Sequence, residues 1–237
     1  MKFIAILTSV PFESDRILSS LRNVRRFRLA GKTVYRGSIS SVRALLINTG
    51  IGPANAAHSA TFIAENFPVK LVIHAGVGGA YPKSGLDIGD IALATKEIFG
   101  DSGVTGANGW KGMREIGIPL VHTRRKKYFN EFPLDRKLSK KALNSIKDIT
   151  IKSGSFITVC AASGTSKRAS ELEKRFKAVC ENMEGASVAQ VCTIYNIPML
   201  EIRGISNISG VRDKRKWNLK LASENCQKAV MKIISHI

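Results

Sequence analysis

The chain has 237 residues, of which 37 are Lys or Arg and 18 are Asp or Glu, so its formal net charge at pH 7 is +19. This length suits one large domain, which we predict to span 1–237, and a hydrophobic content of 44% supports a full core. No apolar run approaches the roughly 18 residues that a membrane-spanning helix needs. Four cysteines without a CxxC pair, in apolar or helical contexts, favour reduced core thiols in a cytoplasmic protein and make a metal site unexpected.

The strongly basic composition raises the question of a nucleic-acid partner. The basic residues concentrate in three short clusters that lie far apart in the chain, at 22–28, 124–127 and 212–216. None of these clusters is interleaved with a platform of several aromatic side chains on which bases could stack. We therefore expect a solvated basic surface and no nucleic-acid partner, and we keep a non-catalytic nucleic-acid-binding module as an alternative.

Short apolar runs bounded by Gly, Pro, Ser or Asn predict strands that are buried on both faces. In chain order they are Phe3–Thr8, Val42–Asn48, Leu71–His74, Ile91–Ala94, Phe156–Val159 and Met199–Ile202. Helical patterns lie between or after them, at Asp15–Arg22, Ala54–Asn66, Ser170–Lys177, Gly185–Tyr195 and Leu221–Ile234. This alternation predicts a single α/β domain with a mostly parallel, twisted central sheet flanked by helices on both faces. The irregular segment 100–135 is predicted to be a long loop or flap near the site or a subunit interface.

In such a sheet, ligands bind at the carboxyl ends of the strands. The first predicted strand is followed by an acid, Glu13, and the next two by the glycine-containing loops TGIGPANAA (49–57) and HAGVGGA (74–80). Neither loop matches a Walker or dinucleotide-binding pattern, which disfavours triphosphates and dinucleotides. The loops are compatible both with a nucleotide-binding role and with ordinary tight turns.

Two further positions point to a nucleoside. Met183 and Glu184 open a predicted helix, and Asn207 ends the last predicted strand. A thioether can cover the apolar face of a ribose while a carboxylate accepts hydrogen bonds from two vicinal hydroxyls. An amide can donate to and accept from the edge of a purine at once. The alternatives are a core methionine, a first-turn carboxylate and a strand-end cap.

Taken together, these motifs resemble the nucleoside phosphorylase and nucleosidase superfamily over nearly the whole chain, from residue 1 to about 234. Within it the chain is most similar to the futalosine hydrolases of menaquinone biosynthesis, and next to the methylthioadenosine/S-adenosylhomocysteine nucleosidases. The similarity to the futalosine hydrolases lies in VPFE (10–13), ENMEG (181–185), RGISN (203–207), Arg212-Asp213 and Trp217.

The resemblance also implies a reaction. Phosphorylases of the superfamily typically carry an arginine and a hydroxyl residue around the third-strand loop, where this chain has His74 and Val77, so water is the expected nucleophile. Adenine-cleaving nucleosidases have an aspartate where this chain has Asn207. An amide can donate to a 6-oxo group and accept from N7–H, which suits hypoxanthine better than adenine.

The resemblance assigns roles to eight residues. Glu13 is expected to be the general base that activates water, and Asn207 to stabilise the departing base. The remaining six are expected to bind substrate: Val77 and Gly78 beside the sugar, Met183 and Glu184 at the ribose, and Arg212 and Trp217 at the 5′ extension. A solvated basic loop is an equally open interpretation of Arg212 and Trp217, and His74 is interpreted as a buried, satisfied histidine.

The expected substrate is a small-molecule purine nucleoside, with no cofactor and no metal. A homo-oligomer is implied, with a dimer favoured. The leading function is futalosine hydrolysis. The alternatives are an adenosine-type nucleosidase acting on methylthioadenosine, S-adenosylhomocysteine or aminodeoxyfutalosine, a purine nucleoside phosphorylase, and the binding module named above.

Overall fold

A mixed ten-stranded sheet organises the chain in the computed structural model, which describes residues 2–237. The strands are β1 (Phe3–Thr8), β2 (Arg22–Leu29), β3 (Lys32–Ile39), β4 (Val42–Asn48), β5 (Val69–Ala80), β6 (Ile91–Phe99), β7 (Gly103–Gly106), β8 (Gly109–Gly112), β9 (Val121–His122), β10 (Lys127–Tyr128), β11 (Glu131–Pro133), β12 (Ile151–Thr158), β13 (Ala178–Asn182) and β14 (Met199–Ile208). The helices are α1 (Asp15–Ser20), α2 (Pro53–Asn66), α3 (Arg136–Ser145), α4 (Ser166–Phe176), α5 (Gly185–Ile194) and α6 (Leu219–Ile234).

The predicted α/β domain with helices on both faces is confirmed. Alternate residues of β1 point to opposite faces, as the two-residue period of a strand requires. Phe3, Ala5 and Leu7 join a cluster with α2 and α5. Ile4 and Ile6 join a second cluster with α1, α3 and α6. Each of the six predicted strands is present, and β1 and β4 have the predicted bounds.

The sheet is mixed rather than mostly parallel. The neighbours β1–β4, β1–β5, β5–β14, β6–β12 and β12–β13 run parallel. Antiparallel pairs are equally frequent: β2–β3, β3–β4, β6–β11, β5–β13 and β6–β14. The difference arises largely because β2, β3, β11 and β13 are not predicted as strands by the sequence, and all four take part in antiparallel pairs. The antiparallel pair β6–β14 joins two predicted strands.

Five central strands close on themselves. Strand β14 pairs with both β5 and β6, while β12 and β13 form a second path between the same two strands. We call β5, β14, β6, β12 and β13 the strand ring. Strand β5 takes part in two neighbourhoods because it is long: its first half pairs with β1 and its last residues pair with β13. The ring and β1 carry the residues predicted to form the site.

Two segments differ from the sequence prediction. Helix α1 ends at Ser20, and β2 and β3 form a hairpin in which the Arg-rich β2 is an exposed edge strand. Cationic side chains on an edge strand discourage pairing with a second sheet. Segment 100–135 is not irregular: it contains the pairs β7–β8 and β9–β10 and the edge strand β11.

No helix in the described range 2–237 is long and apolar enough to cross a membrane. All four cysteines are free thiols. Cys160 is exposed, whereas Cys180, Cys192 and Cys226 are buried. The prediction of core thiols therefore holds for three of the four.

Candidate active site

A cavity of about 380 Å³ opens at the carboxyl ends of β1, β5 and β14. The eight predicted site residues all line it: Glu13, Val77, Gly78, Met183, Glu184, Asn207, Arg212 and Trp217. None of the described residues in 100–135 lines the cavity, so that segment is not a flap over this site. The fold thus brings the predicted residues together, and their individual roles stay predictions.

Glu13 lies in a short 3₁₀ helix, Pro11–Glu13, directly after β1, and its side chain is buried. Its Oε2 accepts hydrogen bonds from the backbone N–H groups of Ser9 (2.8 Å) and Val10 (3.1 Å). Its Oε1 accepts one from the N–H of Val77 (2.8 Å). Burial raises the pKa of Glu13 above its ordinary value, against the opposing effects of Arg203 and the three backbone donors. A fixed carboxylate with a raised pKa suits a general base.

Arg203 is the most important site residue that sequence reasoning left without a role. It is 1% exposed, and it donates to Glu201 Oε1 from Nε (3.1 Å) and from one terminal nitrogen (2.9 Å). The same terminal nitrogen lies 3.7 Å from Glu184 Oε2. Burial alone would lower the pKa of Arg203, but Glu201, Glu184 and Glu13 raise it, so the guanidinium stays charged. It therefore supplies the positive charge that three buried carboxylates require.

His74 is fully buried, with Nδ1 3.2 Å from Glu201 Oε1 and 3.1 Å from an Arg203 terminal nitrogen. It is absent from the residues lining the cavity. The interpretation of His74 as a buried and satisfied histidine is confirmed.

Glu184 stands at the amino end of α5, where its Oε1 accepts the N–H of Gly52 (2.9 Å). The turn before the helix is fixed by Asn182, whose Oδ1 accepts the N–H groups of Glu184 (2.9 Å) and Gly185 (2.7 Å). Met183 lies between them and lines the same cavity. The ribose-binding pair predicted from the sequence is thus held by a side-chain cap that the sequence pattern did not reveal.

Asn207 lies near the end of β14 and is half-buried. Its Oδ1 accepts from Ser206 Oγ (2.8 Å), and its Nδ2 donates to the carbonyl of Ile208 (3.2 Å). An amide has two acceptor positions and two donor hydrogens. One of each therefore remains for a ligand.

The mouth of the cavity combines apolar side chains with a cation. The Arg212 guanidinium stacks on the Trp217 ring, 5.0 Å from its centroid, and the Trp217 Nε1–H donates to the carbonyl of Val211 (2.9 Å). Within residues 2–237, no carboxylate pairs with Arg212. Three large apolar side chains of the cavity lining are also exposed: Phe12 (42%), Ile51 (59%) and Leu219 (42%).

Behind the cavity lies a pair of fully buried carboxyl groups, Glu97 and Glu201, which lie close enough for the charge of Glu201 to shift the pKa of Glu97. A Cβ on Gly185 would come within 2.1 Å of Glu97 Oε1 and 2.4 Å of Glu201 Oε1, so only glycine fits between the helix and the pair. Burial and the charge of Glu201 raise the pKa of Glu97 well above its ordinary value. Burial alone would raise the pKa of Glu201 as well, but His74 and Arg203 lower it to about 2.

The two carboxyl groups connect two halves of the site. Asn182 Nδ2 donates to Glu97 Oε1 (2.7 Å), so Glu97 orients the residue that caps α5 ahead of Glu184. Glu201 in turn orients Arg203. The two carboxyl groups thus support Glu184, the predicted ribose-binding residue, and the cation beside Glu13.

The free energy of unfolding of the Glu97→Gln variant is expected to rise, relative to that of the unchanged protein, as the pH increases above 4.5. Because the pKa of Glu97 is raised, the stabilisation that Glu97 contributes is fully present below its ordinary pKa of 4.5. It is lost as the pH rises towards the folded-state pKa. The loss has a slope of up to about 1.4 kcal/mol per pH unit, and a neutral Gln has no such loss. Urea unfolding between pH 5 and 8 measures the difference.

Asp148→Asn is the control, because a hydrogen bond from Lys232 lowers the pKa of exposed Asp148 and its effect should appear only as pH falls below about 4. A difference between Glu97→Gln and the unchanged protein that stays constant from pH 5 to 8 would contradict the raised pKa of Glu97.

Comparison with known proteins places the fold and the motifs in one family. A model of the phosphorylase superfamily matches residues 3–235. The chain belongs to this superfamily. A futalosine hydrolase of Thermus thermophilus is 33% identical over 189 residues, which are 80% of this chain and 80% of that protein. A 5′-methylthioadenosine/S-adenosylhomocysteine nucleosidase of Psychromonas ingrahamii is 28% identical over 241 residues and covers 99% of both chains.

Solved structures of the phosphorylase superfamily share the fold over the full length. A putative 5′-methylthioadenosine/S-adenosylhomocysteine nucleosidase from Borrelia burgdorferi, bound to adenine, is 27% identical with a TM-score of 0.84, over 99% of this chain and 100% of that one. A futalosine hydrolase mutant of Helicobacter pylori is 22% identical with a TM-score of 0.86, over 100% of both chains, and supports the fold alone. The resemblance identified from the motifs is confirmed.

Proposed function

We propose that this chain, an enzyme of the nucleosidase type, hydrolyses the N-glycosidic bond of futalosine and releases hypoxanthine and dehypoxanthine futalosine in menaquinone biosynthesis. The relatives include both futalosine hydrolases and adenosine-type nucleosidases. The choice between them therefore depends on the base end and the 5′ end of the cavity. The observation that carries the proposal is the mouth, where Arg212, without a carboxylate partner in the described chain, stacks on Trp217 beside exposed apolar side chains.

Futalosine has an extension at the 5′ carbon, a ketone chain that ends in a carboxyphenyl group, and it requires an apolar slot and a cation. Phe12, Ile51 and Leu219 offer the apolar surface, and Trp217 can cover the aromatic ring. Arg212 can pair with the carboxylate through its planar fork of donors. A methylthio group would use none of this polar recognition.

Water is the nucleophile that best fits the charges. A phosphate dianion would have to lie near Glu13 and Glu184, and the charge of Arg203 is already offset by these two residues and Glu201. The third-strand loop adds Val77, whose side chain offers phosphate no donor and whose N–H is occupied by Glu13. A neutral water avoids this repulsion.

In the proposed reaction, Glu13 removes a proton from water as its oxygen bonds to the anomeric carbon. The bond from that carbon to the purine nitrogen breaks, and its electron pair leaves with the base. Asn207 donates to the 6-oxo group and accepts from N7–H as that nitrogen gains a proton. Met183 covers the ribose, and Glu184 accepts from its hydroxyls. The proton that N7 gains comes from solvent, and Glu13 returns to solvent the proton that it took from the attacking water. Overall, water supplies one hydrogen to the base and the hydroxyl to the sugar, so atoms and charge balance.

The test is base release from futalosine, inosine, aminodeoxyfutalosine and methylthioadenosine, first in phosphate-free buffer and then with phosphate added. Hypoxanthine released from futalosine at a rate indifferent to phosphate supports the proposal. Adenine release as the main activity would favour the adenosine-type nucleosidase instead. Dependence on phosphate would indicate a phosphorylase. No release from any of them would favour the alternative of a non-catalytic nucleic-acid-binding module. Its affinity for RNA or DNA should fall steeply as the salt concentration rises.

Asn207→Asp is expected to raise base release from adenine nucleosides relative to release from futalosine by at least about tenfold, a 1.4 kcal/mol change in relative transition-state stabilisation. A protonated aspartate can give a proton to adenine N7, whereas an amide cannot. The ratio of kcat/KM for aminodeoxyfutalosine and futalosine measures the effect. Asn225→Asp, on α6 outside the cavity lining, is the matched control. An unchanged ratio in Asn207→Asp would contradict the specificity role of Asn207.

The homo-oligomer, with a dimer favoured, and the cytoplasmic location stay predictions.

A further inference from the structure

We propose that Glu181 determines specificity for the base by accepting a hydrogen bond from N1–H of a 6-oxopurine, next to the edge read by Asn207. Sequence reasoning gave Glu181 no role beyond its place in the ENMEG motif. The inference deepens the proposed function and rests on it, because it takes the ligand to be a purine nucleoside. Three features of the structure carry it: the register of three strands, the donors that hold the carboxylate, and its place in the cavity lining.

The register places Glu181 and Asn207 on either side of one glycine. In the pairing of β13 with β5, Glu181 lies opposite Gly79. In the pairing of β14 with β5, Asn207 lies opposite the same Gly79. Residues paired across neighbouring strands project from the same face of a sheet, and two strand spacings separate the outer backbones by about 10 Å. The carboxylate and the amide therefore flank a common floor.

That floor has no side chain of its own. A Cβ on Gly79 would lie 2.5 Å from Ser209 Oγ and 3.3 Å from Asn207 Nδ2, so a larger residue would crowd the amide. Glu181, Asn207, Gly79 and Ser209 all line the cavity. A flat heterocycle can lie over the glycine with one edge towards the amide and the next towards the carboxylate.

Glu181 is held as an acceptor. Its Oε1 accepts the backbone N–H of Ser163 (2.9 Å), and its Oε2 accepts from Ser163 Oγ (2.6 Å) and from the hydroxyl of Tyr81 (3.0 Å). Burial raises the pKa of Tyr81 far above its ordinary value, and Glu181 adds to this effect, so the phenol keeps its proton and donates. The side chain is 6% exposed, and both donor residues hold it against the cavity wall.

The hydrogen-bond inventory leaves one position for a ligand. A carboxylate offers about four acceptor positions, and three are occupied here. The fourth is on Oε1. Hypoxanthine carries a hydrogen on N1 and can fill it, whereas adenine presents a lone pair at N1 and would meet the carboxylate with repulsion. Glu181 thus rejects adenine at N1, while Asn207 reads the 6-oxo group and N7.

The decisive experiment needs two free bases that differ at one atom: hypoxanthine and 1-methylhypoxanthine, in which a methyl group replaces the N1 hydrogen. Hydrogen bonds to charged groups contribute about 1.5–3 kcal/mol, which corresponds to about 10- to 150-fold in affinity. We expect the unchanged protein to bind hypoxanthine more tightly than 1-methylhypoxanthine by a factor in this range, measured by calorimetry or by inhibition of futalosine hydrolysis.

The same pair of bases is then measured on Glu181→Met, which keeps the approximate length of the side chain and removes both acceptor oxygens. The preference for hypoxanthine should fall to near unity in this variant. Glu181→Gln, which retains one neutral acceptor oxygen and disturbs Ser163 and Tyr81 less, should show an intermediate preference. Each preference is a ratio of two affinities measured on the same protein. A general loss of stability or of folded protein therefore does not change it.

The outcomes separate the inference from the proposed function. Hypoxanthine release from futalosine, together with a preference that disappears in Glu181→Met, supports both. Release from futalosine with an equal preference in the unchanged protein and in Glu181→Met would overturn the role of Glu181 alone. Failure to release hypoxanthine from futalosine, with adenine bound more tightly than hypoxanthine, would overturn both.

Discussion

Glu13→Gln is expected to lower kcat for base release from futalosine by about 10²- to 10⁴-fold, the usual contribution of a general base. The amide has nearly the shape of the carboxylate and retains an oxygen for the backbone N–H groups of Ser9 and Val10, but it cannot take the proton of water. Steady-state kinetics should therefore show the loss in kcat while KM changes little. Calorimetric binding of hypoxanthine to the variant checks that the base end of the cavity is intact.

The matched control for this variant is Glu224→Gln. Glu224 forms a surface ion pair with Arg16 (2.8 Å) and lies outside the cavity lining, so its replacement should leave kcat unchanged. The unchanged enzyme should also lose kcat/KM on the acid side, because Glu13 must be ionised to act, and the midpoint should lie above 4.5, since burial raises the pKa of Glu13. Near-normal turnover by Glu13→Gln would assign the base elsewhere.

Arg203→Met is expected to lower the free energy of unfolding by about 3–5 kcal/mol, because removing one partner leaves buried charges without compensation. Glu201 would lose two hydrogen bonds to its Oε1, and Glu13 and Glu184 would lose a neighbouring cation. Urea unfolding at pH 7 measures the change. Arg215→Met is the control: Arg215 is 90% exposed in its ion pair with Asp213, so its loss should leave stability essentially unchanged.

Arg203→Lys provides a second comparison if the Met variant does not fold. Lysine keeps the charge but loses the planar fork that contacts Glu201, so an intermediate loss is expected. If Arg203→Met were as stable as the control variant, the buried carboxyl groups would have to be neutral, and the charge assignment of the site would be wrong.

The sequence revealed the residues at strand ends and missed those inside the strands. Glu13 and Asn207 could be predicted because each follows a predicted strand, where a sheet of this kind places its ligands. Glu184 could be predicted because it opens a predicted helix. Arg203 and Glu201 belong to the apolar run of β14, and Glu97 to that of β6. Strands that are buried on both faces are recognised in a sequence by their runs of apolar residues. Such a run does not indicate what role an isolated charged residue within it has.

The partners of these charges could not be found by spacing. Glu97 and Glu201 are more than a hundred residues apart and meet only because β14 pairs with β6. Glu181 and Asn207 likewise flank Gly79 only because β13 and β14 both pair with β5. The hairpin of β2 and β3 was missed for another reason: its first strand consists largely of arginine and has no apolar alternation to detect.

The strand ring limits how this site can change. At the edge of an open sheet, a strand can slip by one residue at the cost of a single ladder, and every side chain then changes face. A slip of β14 would have to break its ladders with β5 and β6 together. The position of Asn207 relative to Glu181 is therefore locked, whatever side chains occupy the two sites. New substrate preferences can arise here by exchanging single side chains over an unmoved backbone, which makes specificity separable from folding in this architecture.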